Sequence, residues 1–145
     1  MTYDGINYLA SLEEVENSLR GIYSILDPGG VFLFDQSTPA NSINNLSYFD
    51  DDFTGDGFSY TRTSSYNEAD QIHTTRFVIR KGDSLMTENH LQRAFTRMEM
   101  VEAVKLAGFS VIACLEAFEF ESADDGTERI QWVLTRQKST NPGNT

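Results

Sequence analysis

Two histidines, with a glutamate and an arginine nearby, are the side chains whose types could form a metal site or a joint polar cluster. His73 lies in one predicted strand, and His90 and Arg93 lie in another. Because side chains alternate along a strand, His90 and Arg93, three residues apart, should face opposite sides. Glu88 shares a face with His90, and His73 lies on a neighbouring strand, but the spacing fixes no third metal ligand. A packed or solvated histidine is therefore favoured over a zinc site, and we expect no metal.

Acidic residues supply a further candidate. Asp35 ends an apolar run, where its carboxylate would orient a substrate amine or hydroxyl. The alternative is an Asx turn with Ser37 or Thr38, which needs no ligand. The acidic stretches 50–52 and 124–125 predict solvated loops, since their spacing does not match the Asp-x-Asp-x-Asp-Gly start of a calcium loop.

Composition restricts the class of partner. The 145 residues carry a net charge of −11, which disfavours binding to a phosphate backbone, so we expect no nucleic acid. The single cysteine, Cys114, cannot form an internal disulfide, which favours a reducing, cytoplasmic location. No signal peptide or membrane-length apolar run is present, so no membrane association is expected. The length predicts one domain over residues 1–145.

Two helices have clear start and stop signals. The segments Ser11-Leu-Glu-Glu14 and Thr96-Arg-Met-Glu99 have the spacing of capping boxes, each followed by apolar residues at helical intervals. The first helix should end near Leu26, because the turn at residues 27–30 contains a proline and two glycines. The second should end at Gly108.

Strand patterns fill most of the remainder. The run 31–34 predicts a strand covered on both faces. Alternating polarity and turn residues then predict a three-stranded antiparallel meander, followed by a terminal hairpin: 58–66, 71–80 and 84–95 for the meander, and 109–120 and 129–136 for the hairpin. Alternation along the second meander strand places one set of side chains on a common face: His73, Thr75, Phe77 and Ile79. Residues 37–57 predict a long loop with a short helical piece around residues 43–48, so that 37–95 form one insertion. Residues 137–145 predict a flexible tail.

Three stretches together resemble the C-terminal half of a class I S-adenosylmethionine-dependent methyltransferase. The segment 3–9 resembles the residues after the fourth strand of that fold, and 26–35 resembles its leucine–x–proline–glycine–glycine turn and fifth strand. The segment 88–96, with the helix that ends at Ala107-Gly-Phe109, resembles the last inserted strand and final helix. Their order and spacing make the resemblance more specific than any one of them.

The resemblance implies S-adenosylmethionine as cofactor and a small molecule as substrate. It also implies that the last strand inserts antiparallel between its two neighbours. Methyl transfer depends mainly on positioning, so no dedicated catalytic residue is expected. The implied cofactor-binding residues are Tyr3, Asp4, Asn7 and Tyr8, and the implied substrate-binding residues are Asp35, His90 and Arg93.

The resemblance covers only half of that fold. The family holds its cofactor mainly through a glycine-rich loop after a first strand, and this sequence has no such strand and loop ahead of its first helix. We therefore expect an α/β fold, or α+β as an isolated fragment, that represents the C-terminal portion of an enzyme. The alternative is a non-catalytic binding or assembly module. A bare sheet edge predicts self-association or pairing with a complementary N-terminal half. A third, weaker option is an unrelated α+β ligand-binding fold.

Overall fold

The computed structural model describes residues 3–138 and shows an α/β fold with two sheets and few helices, as predicted. A 3₁₀ turn at Gly5–Tyr8 precedes the first helix, and another at Leu46–Phe49 follows the second. The remaining elements are α1 (Leu12–Ile25), β1 (Val31–Ser37), α2 (Pro39–Asn44), β2 (Asp51–Gly55), β3 (Phe58–Asn67), β4 (Ile72–Lys81), β5 (Ser84–Arg93), α3 (Arg97–Leu106), β6 (Ser110–Glu116) and β7 (Arg129–Thr135).

The first sheet has the order β1–β7–β6, and both pairs of neighbours are antiparallel. The last strand therefore lies between the other two, as the resemblance implied. Phe34 of β1 stands opposite Trp132 of β7, and their rings stack with centroids 6.0 Å apart. The buried Gln36 joins this cluster by accepting a hydrogen bond from the Trp132 indole and donating to the Phe95 carbonyl. A polar side chain is tolerated there because both its ends are paired.

Helices α1 and α3 supply the other side of the core. Val15 and Leu19 of α1 and Met100 and Val104 of α3 are buried in the same cluster as Trp132. These are the apolar positions that the helical spacing indicated. No helix among residues 3–138 is long and apolar enough to cross a membrane.

The two capping signals form differently. At α3 the capping box is complete: Thr96 accepts from the Glu99 N–H, and the Glu99 carboxylate accepts from the Thr96 N–H. At α1 the Ser11 hydroxyl accepts from the Glu14 N–H, but the Glu14 carboxylate accepts from the N–H of Ala10 instead. The Glu14 carboxylate thus binds the N–H one residue before the one that a capping box predicts.

The second sheet is an antiparallel meander of four strands, β2–β3–β4–β5, and not of three. The additional strand β2 lies in the segment predicted as loop. Its aspartate and glycine residues have low strand propensity, so the sequence pattern did not indicate a strand there. Pairing with β3 supplies what local propensity lacks, because the rings of Phe53 and Tyr60 stack across the pair and Arg62 binds Asp51 at 2.8 Å.

Other boundaries also differ from prediction. The short helical piece is α2 together with the second 3₁₀ turn, and it begins at Pro39 instead of near residue 43. The strand predicted over 109–120 ends at Glu116. In the predicted tail, residues 139–145 lie outside the described residues, while 137 and 138 are in neither helix nor strand.

Candidate functional site

The N-terminal segment, residues 3–8, lies across the carboxyl end of β1, and Asn7 fastens it there. The Asn7 side-chain amide donates to the carbonyls of Ser37 and Arg93, at 2.8 and 2.7 Å, and its oxygen accepts from the Ser37 N–H at 3.0 Å. Asn7 is 1% exposed. One side chain thus ties the segment to the end of β1 and the end of β5, which joins the two sheets at the site.

Two aspartates and one arginine form a partly buried cluster beside the clamp that Asn7 makes with Ser37 and Arg93. Arg129, the first residue of β7, contacts Asp4 at 2.8 Å and Asp35 at 2.9 Å. The Asp35 carboxylate also accepts from the Asp4 N–H at 3.2 Å. These are the contacts that the Asp35 side chain makes, in place of the Asx turn with Ser37 or Thr38.

The cluster has more acceptor capacity than its own donors fill. The Oδ1 atoms of Asp4 and Asp35 are buried and have no hydrogen-bond partner among the described residues. Burial raises the pKa of the Asp4 carboxyl, Arg129 opposes this rise, and the Asp35 charge adds to it. With both carboxylates ionised the cluster carries one net negative charge, so it suits a ligand that brings a cation or a hydrogen-bond donor.

A larger cleft opens on one face of the meander next to Tyr8. Its volume is about 450 Å³, within the roughly 300–1,000 Å³ of small-molecule sites. The face combines aromatic and aliphatic side chains with a few polar ones: Tyr8, Tyr60, Thr75, Phe77, Ile79, Glu88, His90 and Gln92. The predicted alternation on β4 is correct, since Thr75, Phe77 and Ile79 share this face.

Polar contacts hold His90 in the cleft. The Tyr8 hydroxyl lies 3.1 Å from His90 Nδ1, and a Glu88 carboxylate oxygen lies 3.6 Å from His90 Nε2. The Phe77 ring packs edge-on against the imidazole with centroids 5.6 Å apart. The N-terminal segment and β5 therefore meet through a tyrosine–histidine contact.

A smaller polar pocket of about 80 Å³ adjoins the cleft, sharing Thr75 and Gln92 with it. It reaches from Asp4 and Arg129 to the buried His73, whose Nδ1 lies 3.1 Å from the Ser42 hydroxyl. Burial lowers the pKa of His73. The pocket connects the acidic cluster to the apolar cleft.

Arg93 and Tyr3 lie outside the cleft. Arg93 points towards the N-terminal ends of α1 and α3, where it donates to the Ala10 carbonyl at 3.3 Å, lies over the Phe95 ring and lies 3.8 Å from the Glu99 carboxylate. Strand parity correctly separated Arg93 from His90. Tyr3 is 86% exposed. Residues 3–138 contain no group of three His, Cys, Asp or Glu side chains placed to hold a metal ion.

Sequence reasoning missed several residues of the site, above all Arg129 and Ser42. A signal existed for Arg129: if β7 pairs antiparallel with β1, its first residue must lie beside the last residue of β1. Ser42 had no comparable signal, because it lies on the short helix α2 within a segment rich in serine and asparagine.

No family model matches the chain. Among curated proteins it is similar to the “Putative methyltransferase YqeM” of Bacillus subtilis (strain 168), with 25% identity over 150 residues. The match covers 94% of this chain and 57% of that relative, so the chain spans little more than half of the relative's length.

Solved structures show the same partial coverage. An S-adenosylmethionine-dependent methyltransferase from Clostridium acetobutylicum ATCC 824 superposes with a TM-score of 0.74 at 18% identity, over 94% of this chain and 56% of that one. CalS10 is an amino pentose methyltransferase from Micromonospora echinaspora solved with S-adenosylmethionine bound. It superposes with a TM-score of 0.60 at 19% identity, over 94% of this chain and 57% of that one. The resemblance to the C-terminal half of class I methyltransferases is confirmed, and the chain has the fold of that half.

Proposed function

We propose that this chain is the substrate-side part of an S-adenosylmethionine-dependent methyltransferase that acts on a small molecule. One observation carries the proposal: the segment 3–8 places Asp4 and Tyr8 between the carboxyl end of β1 and the cleft of about 450 Å³. In open α/β sheets, ligands bind at the carboxyl ends of strands, often where two elements diverge. The methyltransferase relatives support the reaction type.

The chain's own residues fit one part of S-adenosylmethionine. The cofactor carries a sulfonium and an ammonium group, and the Asp4–Asp35–Arg129 cluster combines net negative charge with two unpaired buried acceptors. Asp4 and Asp35 would therefore face the cationic part of the cofactor. Asn7 has its side-chain atoms already engaged and would position the segment. When bound, the cofactor supplies the activated methyl group.

The remaining chemistry that these residues perform is binding and orientation. The aromatic and aliphatic face of the cleft, with Phe77 and Ile79, would remove the substrate from water, and His90 and Gln92 would orient its polar groups. Arg93 would act indirectly, since its carbonyl holds Asn7 while its side chain points away. The methylated atom would then lie between the cleft and the carboxyl end of β1.

The test is a titration of the ¹⁵N-labelled chain with S-adenosylmethionine, followed by NMR. We expect binding with a dissociation constant of about 1 mM or lower and shifts concentrated at residues 3–8. Asp4→Asn should weaken binding about fivefold, because one carboxylate charge near a cation contributes on the order of 1 kcal/mol at a partly exposed site. Asp125→Asn, at an exposed ion pair with Arg97, is the matched control. A folded chain with no shifts at residues 3–8 would refute the proposal.

A second proposal concerns partners: the chain associates with itself or with a complementary N-terminal half. Half-exposed apolar side chains on the two edge strands of the first sheet support it. Val31 lies on β1, and Val111 and Ile112 lie on β6, where Ile112 is 57% exposed. Apolar surface at sheet edges favours association.

Light scattering coupled to size-exclusion chromatography tests self-association. We expect a dimer or larger species at high concentration, and Ile112→Lys should shift it towards monomer by burying a charge in the contact. Leu106→Lys, a similarly exposed leucine on helix α3 and so on no sheet edge, should leave the mass unchanged. If the wild-type chain is a monomer at every concentration, self-association is excluded.

A further inference from the structure

We propose that Tyr8, His90 and Glu88 form a proton-accepting relay in the cleft, in which the Tyr8 oxygen receives a proton from the substrate. The inference rests on the proposed methyl transfer and adds the destination of the proton that the nucleophile must lose. It starts from three polar groups in contact one after another, on a cleft face that also carries apolar side chains: a hydroxyl, an imidazole and a carboxylate.

The carboxylate selects the tautomer of His90. A neutral imidazole carries one N–H and one lone pair, and its neighbours decide which nitrogen holds the proton. Glu88 Oε2, an acceptor only, lies 3.6 Å from His90 Nε2, which favours the proton on that nitrogen. Nδ1 then has the lone pair and accepts from the Tyr8 hydroxyl at 3.1 Å. Glu88 is therefore a positioning residue.

This tautomer directs the lone pairs of the Tyr8 oxygen away from His90. Tyr8 is half-exposed and lines the cleft, so a ligand N–H or O–H can donate to that oxygen. The rings of Phe77 and Tyr8 both lie edge-on to the His90 ring, and these contacts favour its orientation in the cleft. The relay is thus oriented before the substrate arrives.

The proton balance closes within these residues. The nucleophile uses a lone pair to bond the methyl carbon, and the carbon–sulfur bond breaks with its electron pair on sulfur. The proton of the nucleophile passes to the Tyr8 oxygen as the Tyr8 hydroxyl proton passes to His90 Nδ1. The resulting imidazolium lies beside the Glu88 carboxylate, and the partly exposed ring returns its proton to solvent.

Long-range ¹H–¹⁵N NMR of the histidine rings tests the relay without cofactor. We expect His90 Nδ1 to be unprotonated and to show the shift of a hydrogen-bonded acceptor. Tyr8→Phe should return that nitrogen to the shift of a free acceptor, and Glu88→Gln should raise the fraction protonated at Nδ1. Tyr48→Phe, an exposed tyrosine outside the cleft, should change neither. A His90 protonated at Nδ1, or an Nδ1 shift unaffected by Tyr8→Phe, would overturn the inference.

Cyclohexylamine serves as a probe of the acceptor role. We expect it to shift the Tyr8 and His90 ring signals, and Tyr8→Phe to weaken its binding about fivefold, as loss of one hydrogen bond implies. Unchanged affinity in Tyr8→Phe would count against Tyr8 as acceptor. The two proposals fail separately: absence of S-adenosylmethionine binding overturns the methyltransferase assignment, whereas unchanged ring nitrogens overturn only the relay.

Discussion

Removing the Asn7 side chain should weaken the site at its point of attachment. Asn7→Ala deletes two hydrogen bonds to carbonyls, of Ser37 and Arg93, and one from the Ser37 N–H. Each hydrogen bond contributes about 1 kcal/mol net, and leaving its buried partner unpaired costs at least as much. The expected loss is therefore about 3 kcal/mol, or roughly 9 °C in melting temperature for a chain of this size.

Two measurements test the predicted loss of stability in Asn7→Ala. Urea unfolding reports the global free energy, and amide exchange at Ser37 reports the local clamp, where about 3 kcal/mol corresponds to roughly a hundredfold drop in protection. Ile6 is fully buried next to Asn7 and should keep the segment docked in the variant. The lost hydrogen bonds should then lower both the free energy of unfolding and the protection of the Ser37 amide. Asn89→Ala, an exposed asparagine on β5, is the control. Ser37 protection within threefold of wild type would refute the clamp.

Two further predictions concern pH and capping. Burial lowers the pKa of His73 in the folded chain, so as the pH falls the unfolded chain takes up this proton before the folded chain does. The contribution of neutral His73 to stability is therefore fully present above the unfolded pKa of about 6.5 and is lost as the pH drops below it. His73→Gln should flatten urea-derived stability between pH 7 and 5, and an unchanged slope would contradict this account. Thr96→Ala removes the α3 capping box and should cost about 1 kcal/mol in the same assay, whereas Thr87→Ala, on the exposed part of β5, should cost little.

Local signals in the sequence predicted most of the elements. Caps at Ser11 and Thr96 marked both long helices within a residue, because capping requires particular side chains at particular positions. Alternation on β4 assigned His73 and Phe77 to the same face. Strand β2 was missed because its stability comes from pairing with β3. The local strand propensity of Asp51–Gly55 does not reflect that pairing.

The site was harder to predict than the fold because its contacts join distant parts of the chain. Asp4 and Arg129 are 125 residues apart, and Asn7 bonds to Arg93 across 86. Strand parity determines which way a side chain points, but it does not say which two ends meet. Parity therefore separated His90 from Arg93 correctly. Placing Arg129 beside Asp35 needed the register of the implied antiparallel pairing, and the contact of Arg129 with Asp4 had no comparable signal.

The segment 3–8 couples the two polar parts of the site. Asp4 completes the acidic cluster and Tyr8 completes the contact with His90, while Asn7 between them makes the bonds that fix both. Asp4 also holds a left-handed backbone conformation, φ 55°, which costs energy and persists because its N–H and carboxylate are both engaged. Any change that frees Asn7 should therefore alter the environments of Asp35 and His90 together, although these residues lie on different sheets. A variant in which one of them shifts and the other does not would show that the two sites are built independently.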